Sequence, residues 1–205
     1  MPARAWFPTY VYESALLRKG NDAFAESLRS ACQEVRDQDS EGQRWCSEHY
    51  PAGYTSYGTR RNLHRTVAAF VELERKIWPH VSRFARRLDM DLREAQLAMT
   101  DCWVNFMSQG ASHPLHLHPG AVVSGSFYVC TPPGCSGIRF EDPRLEQAMG
   151  APPRRADCRP ENLQRVSYDV DAGKLVLFQS FLKHEVASNP VPSERVSVSF
   201  NYTWV

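Results

Sequence analysis

No stretch of this sequence approaches the roughly 20 consecutive apolar residues that a membrane-spanning helix needs. The opening MPARAWFPTYVYES likewise carries no long apolar run behind its basic residues, so a cytoplasmic protein without a membrane partner is expected. Charge of one sign is also missing. With 24 basic and 23 acidic side chains the formal net charge is +1, too little to grip a nucleic-acid backbone or an acidic membrane through a general field, so any charged partner must be recognised locally. Finally, the six cysteines, Cys32, Cys46, Cys102, Cys130, Cys135 and Cys158, contain no CxxC pair, which fits a reducing compartment better than a disulfide framework. Cys130 and Cys135 bracket a Pro-Pro-Gly turn and can face each other across a hairpin, although a buried free cysteine is ordinarily a small core residue.

What is present suits one well-buried core. At 205 residues, 42% hydrophobic and 11% aromatic, the chain is expected to form a single domain over 1–205, helical to about residue 95 and strand-rich from about 96. Asn21 and Asp22 can cap a helix whose apolar positions Phe24, Leu28, Cys32 and Val35 recur every three or four residues, ending near Asp37. A second helical spacing, from Val67 through Phe70, Ile77, Val81 and Phe84 to Leu88, is interrupted by Pro79, which should kink it or start a new helix. Between them, WCSEHYPAGYTSYGT is rich in Gly and Tyr and reads as an ordered loop.

From Leu97 onward short β-rich runs follow one another: LAMTDCWVNFM, AVVSGSFYVCT, GIRFED, VSYDV, KLVLFQS, HEVAS and ERVSVSFNYTW. The expected fold class is α+β with a mainly β core, a sandwich or jelly roll with the N-terminal helices packed on its outer face. The last run alternates most cleanly. Val196, Val198, Phe200, Tyr202 and Trp204 take one face, and Arg195, Ser197, Ser199, Asn201 and Thr203 the other. Arg195 and Ser197 therefore share a face and can cradle a carboxylate, unless Arg195 is simply solvated on an edge strand. Ser124, Ser126 and Tyr128 also share one strand face and can line a pocket.

The candidate chemistry lies in HPLHLHPG and LKHEV. Imidazoles at i and i+2 of a strand point the same way, so His116 and His118 can reach one cation, with His184 delivered by a distant strand. Neutral imidazole suits iron, zinc, copper and nickel. His49, His64, His80 and His113 are left as surface or satisfied core residues.

These residues resemble the 2-oxoglutarate and Fe(II)-dependent oxygenases, whose core is a double-stranded β-helix, over about Leu97 to Val205. The resemblance places His116 in the first His-x-Asp/Glu, His184 as the second His, and Arg195 and Ser197 at the co-substrate carboxylate; Asn105, Gly110 and His116 repeat an Asn-x4-Gly-x5-His order in which the Asn helps bind the co-substrate. The run HxHPGAVVSGSFYV, FEDPR, LVLFQSFLKHEV and ERVSVSFNY is similar to a group of small bacterial 2-oxoglutarate/Fe(II) oxygenases. Implied are Fe(II) and 2-oxoglutarate as cofactors, succinate and carbon dioxide as products, and usually hydroxylation of a small-molecule substrate. One departure stands out: His118 occupies the position of the acidic ligand. It can ligate, stand aside for water, or yield to Glu141 or Asp142 from another strand; ligation is preferred because the i+2 placement supplies the direction.

The long irregular segment Asp142 to Tyr168 carries Arg144, Arg154, Arg155, Arg159 and Arg165, and reads either as a lid for a carboxylate-bearing substrate or as a solvated insertion. A cupin-type enzyme using metal alone shares the Gly110-x5-His116-x-His118 and Gly173-x10-His184 skeleton, but Val122 or Val123 stands where its glutamate is expected. A metal-binding module without turnover is the third reading, and a homodimer is left open.

Overall fold

Period-two patterning after Leu97 builds two antiparallel sheets that face each other. In the computed structural model, which describes residue 4, residues 6–17 and residues 23–205, the strands are β1 (Val11–Ala15), β2 (Gly53–Thr55), β3 (Leu97–Met107), β4 (His113–His116), β5 (Val123–Cys130), β6 (Ile138–Glu141), β7 (Arg165–Tyr168), β8 (Lys174–Gln179), β9 (His184–Val186) and β10 (Arg195–Trp204). One sheet runs β1-β8-β5-β10-β3-β2 and the other β4-β9-β6-β7, a double-stranded β-helix. The alternating C-terminal run is thus an interior strand, not an edge. Its neighbours β5 and β3 cover both sides, and its polar face is as buried as its apolar one.

The helices α1 (Ala23–Asp37), α2 (Ser40–His49), α3 (Leu63–Thr66) and α4 (Ala68–Arg87) belong to the first half. Phe24, Leu28, Cys32 and Val35 of α1 and Phe70, Ile77, Val81 and Phe84 of α4 join Val198, Phe200 and Tyr202 in one core, each such side chain contributing about 1.5–3 kcal/mol on burial. The proposed caps Asn21 and Asp22 lie outside the described residues. Pro79 does not divide the second helix: α4 continues through it to Arg87, because the buried stripe on both sides outweighs one lost backbone bond. A smaller cluster, Tyr128, Ile138, Phe140, Val176, Phe178 and Leu182, fills one end of the space between the sheets. Among the described residues, no helix is long and apolar enough to cross a membrane.

The expected loop after Trp45 is partly regular. Trp45 to His49 complete α2, and Gly53–Thr55 add β2 to the edge of β3. Asp39 organises this corner: it caps α2 through the Gly42 N–H at 3.1 Å and accepts from the Tyr54 hydroxyl at 2.7 Å and from Thr59. Burial alone would raise its carboxyl, but the Thr59, Tyr54 and Gly42 donors prevail and hold it below the ordinary range. A depressed carboxyl stabilises the fold above its unfolded value, about 3.9, and that contribution disappears as pH falls below it. Asp39→Ala should therefore lower stability by about 2–4 kcal/mol at pH 7. In urea unfolding the gap from wild type should narrow at pH 3; a gap that is constant with pH would contradict this role.

Candidate metal and carboxylate site

Strands β4 and β9 bring two of the histidines together by direct pairing, His116 opposite His184. His118 sits two residues beyond the end of β4, where its N–H donates to Ser180 O at 3.0 Å and the Pro119–Gly120 turn begins. The ring still faces the other two, its centre 5.3 Å from that of His116 and 5.0 Å from that of His184. One nitrogen from each of His116, His118 and His184 lies within 4.8 Å of the others. Their tautomers follow from their partners. Nδ1 of His116 meets Pro114 O at 2.7 Å, Nδ1 of His184 meets Leu182 O at 3.0 Å, and Nδ1 of His118 meets the Asn201 amide oxygen at 2.6 Å. Carbonyl oxygens only accept, so each Nδ1 carries the proton and each Nε2 keeps its lone pair, as metal-binding imidazoles require. Burial, reinforced by the neighbouring imidazoles, pulls His184 down to about 3, and burial also lowers His118; both are neutral near pH 7.

The polar faces of three adjacent strands extend the site inward. Across β3, β10 and β5 the register sets Asp101, Asn201 and Ser124 in one row, Trp103, Ser199 and Ser126 in the next, and Asn105, Ser197 and Tyr128 in a third. Arg195 follows, 2% exposed. Its guanidinium lies 5.0 Å from the Tyr128 ring centre and donates to Met107 Sδ, while Nε has no hydrogen-bond partner among the described residues. A buried cation without a carboxylate is costly, and this one lines the same cavity as His116, His118, His184 and Ser197. Asn105, also in that wall, donates to Ser199 and accepts from the Thr55 hydroxyl.

Residues 101–201 match the model of the family described as Putative 2OG-Fe(II) oxygenase. Over those residues the chain belongs to this oxygenase family. No curated protein matches its sequence. Solved structures share its fold: HygX from Streptomyces hygroscopicus, with nickel, 2-oxoglutarate and hygromycin B bound, is 13% identical with a TM-score of 0.61 over 95% of this chain and 83% of that one. The epimerase SnoN, in complex with Fe3+, alpha ketoglutarate and nogalamycin RO, is 13% identical with a TM-score of 0.66 over 95% and 79% of the two chains. A Pseudomonas putida prolyl-4-hydroxylase is 17% identical, with a TM-score of 0.56 over 95% and 92%.

Several surroundings of the 2OG-Fe(II) oxygenase site differ from the sequence expectations. His113, set aside as a surface or core residue, lines both the inner cavity and an outer one of about 420 Å3, with its Nε2 2.9 Å from the Tyr50 hydroxyl. Strand parity alone would turn a residue three before His116 to the other face; the irregularity between His113 and His116 in β4 brings their rings within 6.3 Å, and the sequence does not announce it. Burial, with Arg195 and the other imidazoles adding to it, takes His113 down to about 3. Of the three residues expected to line a pocket, Ser126 and Tyr128 line the inner cavity, whereas Ser124 lines neither and instead donates to the Asn201 amide oxygen. Glu141 and Asp142, offered as alternative ligands, are instead paired with Arg165 and Arg144. No residue of 142–168 lines either cavity, so the arginines of that segment do not reach the site in this arrangement. Cys130 and Cys135 are free and partly buried.

Proposed function

We propose that this protein, acting as one domain over residues 1–205, is an Fe(II)- and 2-oxoglutarate-dependent oxygenase that hydroxylates an unactivated C–H bond of a small, amino-acid-like molecule. The observation that carries this is Arg195, a buried guanidinium whose Nε is unpaired in the cavity lined by His116, His118 and His184, with His113 beside them. A metal-only enzyme of the cupin type has no use for that cation. The residues fit both groups: three Nε2 lone pairs suit a borderline divalent metal, and Arg195 with Ser197 suits a carboxylate. That HygX and SnoN bind 2-oxoglutarate together with a metal on the same fold supports the pairing.

In this reading His116, His118 and His184 hold the ion, Arg195 and Ser197 bind the far carboxylate of the keto acid, and Asn105 steadies the same wall. Bound there, the iron and 2-oxoglutarate supply oxidative decarboxylation, in which dioxygen gives one oxygen atom to succinate and the other to the substrate C–H, with release of carbon dioxide. Three neutral ligands leave the metal charge uncompensated, so the dianionic keto acid binds more tightly once the ion is present. The outer cavity receives the substrate. Trp103 and Tyr57, in edge-to-face contact with centres 4.8 Å apart, form one wall. Arg61, exposed at the same cavity with Nε 3.8 Å from Asp101, offers a counter-charge to a substrate carboxylate.

An anaerobic titration of the protein with Fe(II) and then 2-oxoglutarate tests the assignment. The expected result is a visible metal-to-ligand charge-transfer band that saturates at one equivalent. Bound iron without such a band would overturn the 2-oxoglutarate reading and leave the metal-only one.

A further inference from the structure

The three ring orientations are not secured alike. His116 and His184 each donate Nδ1–H to a main-chain carbonyl two residues earlier, Pro114 O and Leu182 O, which no side-chain substitution can remove. His118 depends on side chains. Its Nδ1 lies 2.6 Å from Asn201 Oδ1, and Asn201 Nδ2 donates to Asp101 Oδ2 at 3.2 Å. We propose that Asp101 is a positioning residue for His118: acting through the Asn201 amide, it fixes the tautomer of the imidazole that stands where the family carries a carboxylate. This rests on the reading of His116, His118 and His184 as metal ligands.

The logic is one of donors and acceptors. An ionised carboxylate has only lone pairs, so the end of the Asn201 amide that faces Asp101 must be its NH2 group. The other end, the oxygen, then faces His118 and demands a proton on Nδ1, which leaves Nε2 free to ligate. Ser124 agrees with this direction, donating to the same amide oxygen at 2.8 Å while lying 2.7 Å from the Ser180 hydroxyl. Were the amide reversed, NH2 would confront Nδ1. His118 would then shift its proton to Nε2, aimed at the metal position. Strand register builds the chain: Asp101, Asn201 and Ser124 are direct partners across β3, β10 and β5. Asp101 is itself held by the Thr100 hydroxyl at 3.2 Å and faces Arg61 Nε at 3.8 Å. The acidic group absent from position 118 is thus replaced by one acting two hydrogen bonds away, where it orients the ligand and raises its basicity without entering the metal's first ring of donors.

The test uses the full chain and two readouts that need no turnover: long-range 1H–15N NMR of the metal-free protein, which reports histidine tautomers, and anaerobic Co(II) titration. Asp101→Asn is isosteric and should preserve the fold, yet it should admit the Nε2–H tautomer of His118 and weaken Co(II) binding by about 10-fold. Asn201→Ala should weaken it by about 10–100-fold, and the double variant should bind no more weakly than Asn201→Ala alone, because Asp101 acts through Asn201. An unchanged His118 tautomer with unchanged affinity in Asp101→Asn would overturn the proposal, and so would losses that multiply in the double variant. Failure of the wild type to bind Co(II) would instead overturn the ligand reading, while the tautomer spectra still report on the Asp101 chain.

Discussion

Replacing His184 with alanine is expected to lower Fe(II) affinity by more than about 100-fold and to remove the 2-oxoglutarate charge-transfer band. The lower bound comes from comparison: removing groups that merely orient a metal ligand already weakens binding by about 10–100-fold, and loss of a ligand exceeds that. His184 is the suitable choice because it is buried and paired directly with His116 in the sheet. Its removal leaves the two imidazoles of His116 and His118. The fold should survive, since β9 keeps its pairing with β4 and β6 through the backbone. Isothermal titration with Fe(II) under anaerobic conditions, beside circular dichroism of the variant, checks both halves. Affinity within a few-fold of wild type would show that His184 is not a ligand.

Arg195→Leu is expected to weaken 2-oxoglutarate binding by at least about 30-fold and to leave metal affinity within a few-fold of wild type. Truncating one partner of a buried, hydrogen-bonded charge pair costs about 2–5 kcal/mol, and 2 kcal/mol is a factor of about 30. The apo protein should respond in the opposite sense. Arg195 is 2% exposed with Nε unpaired, so a shorter apolar side chain removes an uncompensated buried cation, and thermal stability without co-substrate should rise or hold. Stabilisation of the wild type by added 2-oxoglutarate, which follows mass action, should vanish in the variant. Equal losses of metal and 2-oxoglutarate affinity would make Arg195 a structural residue instead.

The parts of this site readable from sequence were those governed by period-two geometry. His116 and His118 share a direction because alternate side chains do, and the clean alternation from Arg195 to Trp204 exposed a polar face with Ser197 beside the arginine. Asn105 was reached only through the family resemblance, whose Asn-x4-Gly-x5-His order it repeats. The remainder depended on contacts distant in the chain. Asp101 meets Asn201 only because β3 and β10 are neighbours in register, and nothing local to either residue announces it. Local signals also misled. Gly and Tyr after Trp45 read as loop, although the edge of β3 makes a strand of Gly53–Thr55, and Pro79, read as a kink or the start of a new helix, starts none, because tertiary burial carries α4 onward. The arginine-rich stretch after Asp142 read either as a lid or as a solvated insertion, and composition could not choose between them; its ion pairs with Asp142, Asp157 and Glu141 hold several of those charges at home.

Strand β10 has one further implication. Its odd-numbered residues Arg195, Ser197, Ser199 and Asn201 serve the cavity, and its even-numbered residues Val198, Phe200 and Tyr202 serve the helix-facing core. Displacement of this strand by a single residue would exchange the two sets, presenting valine and phenylalanine to the metal pocket and thrusting a guanidinium among the helices. Intermediate settings do not exist, because side-chain direction alternates in whole residues. A correctly folded core and a correctly furnished pocket are therefore one and the same alignment, so selection for either enforces the other.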